Sequence, residues 1–279
     1  MVASVLLPEE GKKYELRLSD ADTHMYTVKE IPRAIYDRED SPDTDAASEI
    51  EGPAAEARRA AFSNPSLLSS TATSMATATT DTRGILDVMF LFTPQALAST
   101  GNTPSAMNAL VALSLQIGND ALRNSNAPLR MRSVGTFASK NTAYVEQSFD
   151  TELSRLRYDF DGYFDEDMKQ RTALGADVVV LFVASTSYCG VAYLWATKDL
   201  ALAVVSTQCP DSVSHEIGHT IGLHHDRVTA QDYDYSRYNF GYCWDTGPKS
   251  CYRSIMAYSS CVTTNRRTNC PRGLYFSSP

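Results

Sequence analysis

Three stretches of the chain are apolar without a helical break and too short to cross a membrane. Ile85–Phe92 is apolar except for Asp87, Ala176–Val183 is apolar after Asp177, and Leu200–Ser206 is apolar up to its terminal serine. Runs of this length bounded by polar residues predict buried strands. Between them the period changes. Thr103 followed by Pro104 reads as a helix N-cap with proline in the first turn. Apolar residues then recur at Met107, Leu110, Val111, Ile117 and Ala121, which fits one face of a helix. Leu129–Phe137 alternates with Arg130 and Arg132 and predicts a strand with a wetter face. Two short helices are expected at Thr151–Tyr158 and Phe164–Leu174, and a further helix at Ser212–Leu223. Strands and helices therefore alternate, which predicts an α+β domain around a twisted mixed sheet.

The ends of the chain read differently. Strand-like alternation occurs at Tyr14, Leu16 and Leu18 and again over Met25–Ile31, but residues 1–37 are too few to bury a core alone. Asp37–Asp45 is acidic and polar, and Ser66–Thr82 is nearly all Ser, Thr and Ala. The expected organisation is a partial pro-region over 1–37, a flexible linker over 38–83 and an ordered domain over 84–279. Beyond Gly222 little regular structure is expected.

The formal net charge of -8 argues against nucleic acid as the main partner. No apolar run approaches the ~18 residues that would predict a membrane-spanning helix. Met1–Leu7 lacks the basic start and apolar length of a secretory signal. All six cysteines, Cys189, Cys209, Cys243, Cys251, Cys261 and Cys270, lie in the C-terminal third, with no CxxC pair among them. That pattern predicts disulfides formed in an oxidising compartment, hence a secreted protein, over a thiolate metal site. Neighbour pairing is expected: Cys189 with Cys209, Cys243 with Cys251, Cys261 with Cys270.

The chemistry concentrates in eleven residues. His215, Glu216 and His219 form H-E-x-x-H. Four residues apart on a helix, the two imidazoles share a face and can meet one Zn2+ ion. Glu216 sits one step round, placed to take a proton from the metal's water. Gly222 and His225 extend the pattern to H-E-x-x-H-x-x-G-x-x-H. A third ligand six residues on cannot share the helical face, so the chain must turn. Gly222 can take φ > 0 and end the helix, letting His225 swing back. Three histidines leave a fourth position for water, the mark of a catalytic zinc. His224 is the spare histidine, expected to be exposed or to support the ligands. Asp159, Asp161, Gly162, Asp165 and Asp167 hint at a calcium loop, but the spacing is wrong for an EF-hand. A helix N-terminus rich in carboxylates is the preferred reading.

Ser254–Tyr258 follows the long zinc motif with Met256 at its centre. The combination resembles the metzincins, in which such a Met-turn forms a hydrophobic floor under the histidines. Asp87–Ala96, Gly175–Leu181, Cys189–Tyr193 and Tyr275–Pro279 look like the secreted bacterial peptidyl-Asp metalloendopeptidases and their reprolysin-like relatives. The resemblance covers nearly all of 84–279 and implies a metzincin-type catalytic domain that hydrolyses peptide bonds in protein or peptide substrates. In some metzincins a tyrosine two residues after the methionine reaches the zinc and stabilises the oxyanion, and Tyr258 has that spacing. Asp226 after the third histidine marks the reprolysin-like branch, which usually lacks that tyrosine, so the chain mixes branch markers.

The expected mechanism has zinc-activated water attacking the scissile carbonyl, with Glu216 as general base and then as proton donor to the leaving amine. Substrate is expected to lie along an edge strand, with Leu200–Ser206 as the candidate. Cleavage before acidic residues, implied by the resemblance, needs a cation in the pocket; Arg253 is the first candidate and Arg272 the second. A monomer is expected. The alternatives are a catalytically inactive, protease-like binding module and a zinc amidase acting on a non-protein substrate.

Overall fold

The computed structural model describes the backbone of residues 2–7, 12–20 and 25–31, and residues 83–158, 160–231, 239–247, 250–266 and 268–276 in full. The expected linker, apart from Arg83, and Asp159 of the acidic cluster lie outside the described residues. At the N-terminus β1 (Val2–Leu7), β2 (Lys12–Asp20) and β3 (Met25–Ile31) form an antiparallel sheet in that order.

The main sheet uses β4 (Gly84–Phe92), β5 (Leu129–Ala138), β6 (Val178–Val183), β7 (Gly190–Ala192) and β8 (Leu202–Ser206), in the order β5-β4-β6-β8-β7. The pairs β5-β4, β4-β6 and β6-β8 are parallel, and β7 runs antiparallel to β8. The chain leaves β4 to one side for β5 and then crosses to β6 on the other. With right-handed crossovers, these two connections place helices on opposite faces of the sheet. That is why β6 and β8 are buried along their whole length. Phe90 of β4 stacks on Phe182 of β6 at 5.9 Å between ring centroids. Burying each such ring stabilises the sheet by about 1.5–3 kcal/mol.

The helices are α1 (Pro94–Ser99), α2 (Pro104–Asn124), α3 (Phe149–Arg157), α4 (Asp165–Leu174) and α5 (Ser212–Thr220). Thr103 caps α2 through its side chain, with proline in the first turn. The acidic cluster resolves as a loop and helix start. Asp165 accepts the amides of Phe160 and Gly162, Asp161 accepts that of Tyr163, and α4 opens on Asp165, Glu166 and Asp167.

Four expectations are corrected. Leu200–Ser206 is not an edge strand: β8 begins at Leu202, after a 3-10 turn over Lys198–Leu200, and lies between β6 and β7. The edge is β7. The helix expected to reach Leu223 ends at Thr220. The region after Gly222 carries more regular structure than expected: β9 (His224–Asp226) beside β10 (Phe240–Gly241), and the hairpin β11 (Cys243–Gly247) with β12 (Ser250–Arg253). Finally, the disulfides are Cys189–Cys209, Cys243–Cys261 and Cys251–Cys270, so only the first neighbour pair forms. The hairpin register explains this. Cys243 faces Arg253 and Cys251 faces Asp245, so the two cysteines are diagonal. Each is bridged instead to the segment after Met256.

Candidate metal centre

All nine residues of α5 are buried. Its C-terminus is set by Gly222, at φ +96. Gly222 N donates to the His219 carbonyl at 2.9 Å and Leu223 N to the Gly218 carbonyl at 2.9 Å. This is a Schellman closure, which satisfies the last carbonyls and reverses the chain. The reversal feeds β9, on which His225 sits.

The turn brings three imidazoles to one point. The Nε2 atoms of His215 and His219 are 3.1 Å apart, those of His219 and His225 2.9 Å, and those of His215 and His225 3.2 Å. A tetrahedral zinc with bonds of about 2.0–2.1 Å holds its nitrogens about 3.3 Å apart, so the residues fit a metal of that size. The opposite ring nitrogens are anchored: His215 Nδ1 donates to the Ile255 carbonyl at 2.8 Å and His219 Nδ1 to the Leu223 carbonyl at 2.8 Å. Protonation at Nδ1 leaves the Nε2 lone pair facing inward, the tautomer that metal ligation needs. Burial, followed by the neighbouring His219 and His225, pushes His215 well below the ordinary imidazole range. Burial, followed by His224 and Arg272, pushes His225 down to about 3. Both are therefore neutral near pH 7.

Glu216 projects toward the sheet edge. A Cβ added at Gly190 of β7 would lie 2.5 Å from Glu216 Oε1, so its carboxylate rests against the first residue of the edge strand. The Cys189–Cys209 bridge joins the residue before β7 to the approach to α5. Met256 is fully buried, and a Cβ at Gly218 would lie 2.5 Å from its Sδ, so the methionine sits under the helix that carries His215 and His219. Asp226 draws the pieces together. Its Oδ2 accepts from Thr229 Oγ1 at 2.8 Å and from Tyr258 N at 3.3 Å. The Tyr258 ring lies 4.3 Å from that of His225, centroid to centroid, and stacks on His215 at 6.2 Å.

The two arginines differ. The first pocket candidate, Arg253, is buried with its guanidinium on backbone: Nε donates to the Cys270 carbonyl at 3.0 Å and Nη1 to the Ala257 carbonyl at 2.5 Å. It ties the segment after Met256 to the segment around Cys270. Arg272 pairs with Asp211 at 3.3 Å, at the start of α5, and its charge is one cause of the depression of both His215 and His225. His224, the spare histidine, is buried and receives a hydrogen bond from Trp195. Sequence reasoning missed Trp195 and Gly190; both gain their place from the tertiary return of the β7 segment to α5, which leaves no local signal.

Two helix-borne imidazoles, a third returned by a glycine turn and an acid one residue from the first are the working parts of a metallopeptidase domain. Residues 82–270 match the model of metallo-peptidase family M12. The chain belongs to that family. A peptidyl-Asp metalloendopeptidase of Stenotrophomonas maltophilia is 33% identical over 210 residues, covering 74% of this chain and 48% of that one. One from Xanthomonas campestris pv. campestris is 32% identical over 197 residues, covering 69% and 43%. The chain thus spans about half the length of these relatives. Metalloproteinase-II from Bacteroides fragilis covers 81% of this chain and 67% of its own at 12% identity, with a TM-score of 0.42. No helix among the described residues is long and apolar enough to cross a membrane.

Proposed function

We propose that this chain is a secreted, zinc-dependent endopeptidase that uses Glu216 as general base. The convergence of three buried Nε2 atoms beside Glu216 carries the reading. A zinc ion held there would supply Lewis acidity to the scissile carbonyl and lower the pKa of an attacking water toward ~7. Glu216 takes that water's proton and returns it to the leaving amine. The antiparallel edge strand β7 receives the substrate backbone as an added strand, which presents the scissile bond beside Glu216. Tyr258, against His225, supports the developing oxyanion. Met256 serves as the Met-turn floor. Three disulfides support an oxidising destination.

The acidic preference named for the relatives comes to this chain through Arg272. Arg272 pairs with Asp211 at 3.3 Å at the start of the helix that carries His215, and a substrate carboxylate would compete with Asp211 for the guanidinium. The experiment is cleavage-site profiling on a peptide library by mass spectrometry, for wild type, Glu216→Ala and Arg272→Gln. Glu216→Ala should abolish cleavage while zinc stays near stoichiometric, and retained cleavage would sink the mechanism. Arg272→Gln should lose the preference for acidic residues after the scissile bond; an unchanged profile removes Arg272 from the pocket.

A further inference from the structure

His224 follows a turn and precedes a ligand, yet it is buried. A buried imidazole needs polar partners. Its Nε2 accepts a hydrogen bond from Trp195 Nε1 at 3.0 Å, and its ring stacks on Phe240 of β10 at 5.0 Å between centroids. Its backbone amide donates to the Asn239 carbonyl at 2.7 Å.

Trp195 is unusual in its own right. Its φ is +54, a left-handed conformation that costs a non-glycine residue on the order of 1–2 kcal/mol. Such a cost persists only where the surroundings compensate it. Here Trp195 N donates to the His219 carbonyl at 3.1 Å and Ala196 N to the Thr220 carbonyl at 3.0 Å. The indole also fills the space beside Gly222, where a Cβ would fall 2.5 Å from ring Cε3. One residue thus contacts the end of the ligand helix, the turn glycine and the strand that carries the third ligand. It lies three residues beyond β7, so the same segment continues from the sheet edge to the metal centre.

We propose that Trp195 and His224 form a clamp that positions His225 for the metal. The proposal rests on the reading of the triad as a metal site. Both act as positioning residues, since neither belongs to the triad. The need for a clamp follows from the chain path. β9 has three residues and its partner β10 only two, a pairing too short to hold a ligand by itself. Two residues, Leu223 and His224, lie between the turn glycine Gly222 and His225, and each has two soft dihedrals. Pinning the side chain next to the ligand removes that freedom before the metal arrives.

The test uses the full chain as wild type, Trp195→Phe, His224→Leu and His224→Gln. The readouts are zinc release to an excess of chelator, the visible absorption of the cobalt(II)-loaded protein, and the Tm of the metal-free form. Trp195→Phe keeps a ring against Gly222 but removes the donor, and His224→Leu removes the acceptor. Each should release zinc 10–100-fold faster and alter the cobalt spectrum, as loss of a ligand's support does. His224→Gln keeps an acceptor oxygen and should recover most of the wild-type rate. Wild-type release rates and spectra in both Trp195→Phe and His224→Leu, even with a lowered Tm, would overturn the clamp. Equal loss in His224→Gln and His224→Leu would overturn the hydrogen bond as its basis. If His224→Leu does not fold, Trp195→Phe decides. A wild-type chain that takes up neither zinc nor cobalt would overturn the metal reading, and the clamp with it.

Discussion

A methyl group added at Gly190 would fall 2.5 Å from Oε1, 2.6 Å from Cγ and 2.8 Å from Cδ of Glu216. Ordinary van der Waals contact begins near 3.4 Å, so the carboxylate must withdraw by roughly 0.6–0.9 Å. The backbone itself tolerates alanine, because Gly190 is an ordinary strand residue paired with Val205. The lesion is therefore mild for the fold and aimed at one side chain. The far end of a glutamate can swing at small cost, so Gly190→Ala should lower stability by no more than about 1 kcal/mol. The chemistry is less forgiving. Displacing a catalytic group by about 1 Å costs on the order of 10²-fold in rate. We expect kcat to fall about 100-fold, or about 2.7 kcal/mol in the barrier. KM should change little, because the backbone donors and acceptors of β7 remain.

The assay is steady-state hydrolysis of a quenched fluorescent peptide, with zinc content and Tm measured on the same samples. In a Glu216→Ala background, where cleavage is already lost, Gly190→Ala should leave the binding of an uncleaved peptide unchanged, since the group it displaces is gone. Activity within about threefold of wild type would refute the reasoning, because the tight approach of edge strand and carboxylate would then be immaterial to catalysis. Weakened peptide binding on adding Gly190→Ala in that background would refute it too, by moving the effect to the substrate strand.

Gly222→Ala meets both a φ of +96 and the Trp195 ring at 2.5 Å, so it should cost at least about 1–2 kcal/mol and lower zinc content; unchanged Tm and metal content would contradict the turn's role. Zinc affinity should resist acid. Free imidazoles protonate below about 6.5, and two of them would cost about a hundredfold in affinity per pH unit there. With His225 pushed to about 3 and His215 also depressed, the apo site keeps both neutral, so competition titrations from pH 6.5 to 5 should show a much shallower decline. Folding bears the acid sensitivity instead: both groups protonate in the unfolded chain first, so their contribution to metal-free stability is present above about 6.5 and lost as pH falls toward about 3. Non-reducing peptide mapping should recover Cys243 linked to Cys261 and Cys251 linked to Cys270, and the double change Cys251→Ser with Cys270→Ser should cost about 3 kcal/mol in urea denaturation; a Cys243–Cys251 peptide would contradict the register.

What the sequence made legible here follows from the range of the interaction. Spacing within one helix is a local matter, so the four-residue step from His215 to His219 already puts both rings on one face. A glycine three residues past His219 is likewise a local statement about where the helix ends. The buried runs that became β4, β6 and β8 are legible because burial on both faces leaves no alternation. The identity of the edge strand was not, since three residues of β7 carry no pattern and their place depends on a chain reversal after Val183. Two of the three disulfides depart from neighbour pairing for the same reason. Sequence neighbours looked close, while the hairpin register put Cys243 and Cys251 on a diagonal. Position beside Met256 does not give a side chain's direction, and the Arg253 guanidinium donates to the Cys270 and Ala257 carbonyls.

The third histidine of the triad shows why the local and non-local parts depend on each other. His215 and His219 are held by the helix that carries them, and each is anchored through Nδ1 to a backbone carbonyl. His225 has no helix. It is approached from three directions: the glycine turn behind it, the Trp195–His224 contact on one side, and Asp226 on the other, which binds the amide of Tyr258. Asp226 connects His225 to the segment under the helix, and Trp195 connects it to the segment that leaves the sheet edge. The residue least constrained by its own secondary structure thus receives the most tertiary support. A motif that reports only the histidines and the glycine records where the three rings come from, while the contacts around His225 lie in residues the motif leaves unspecified.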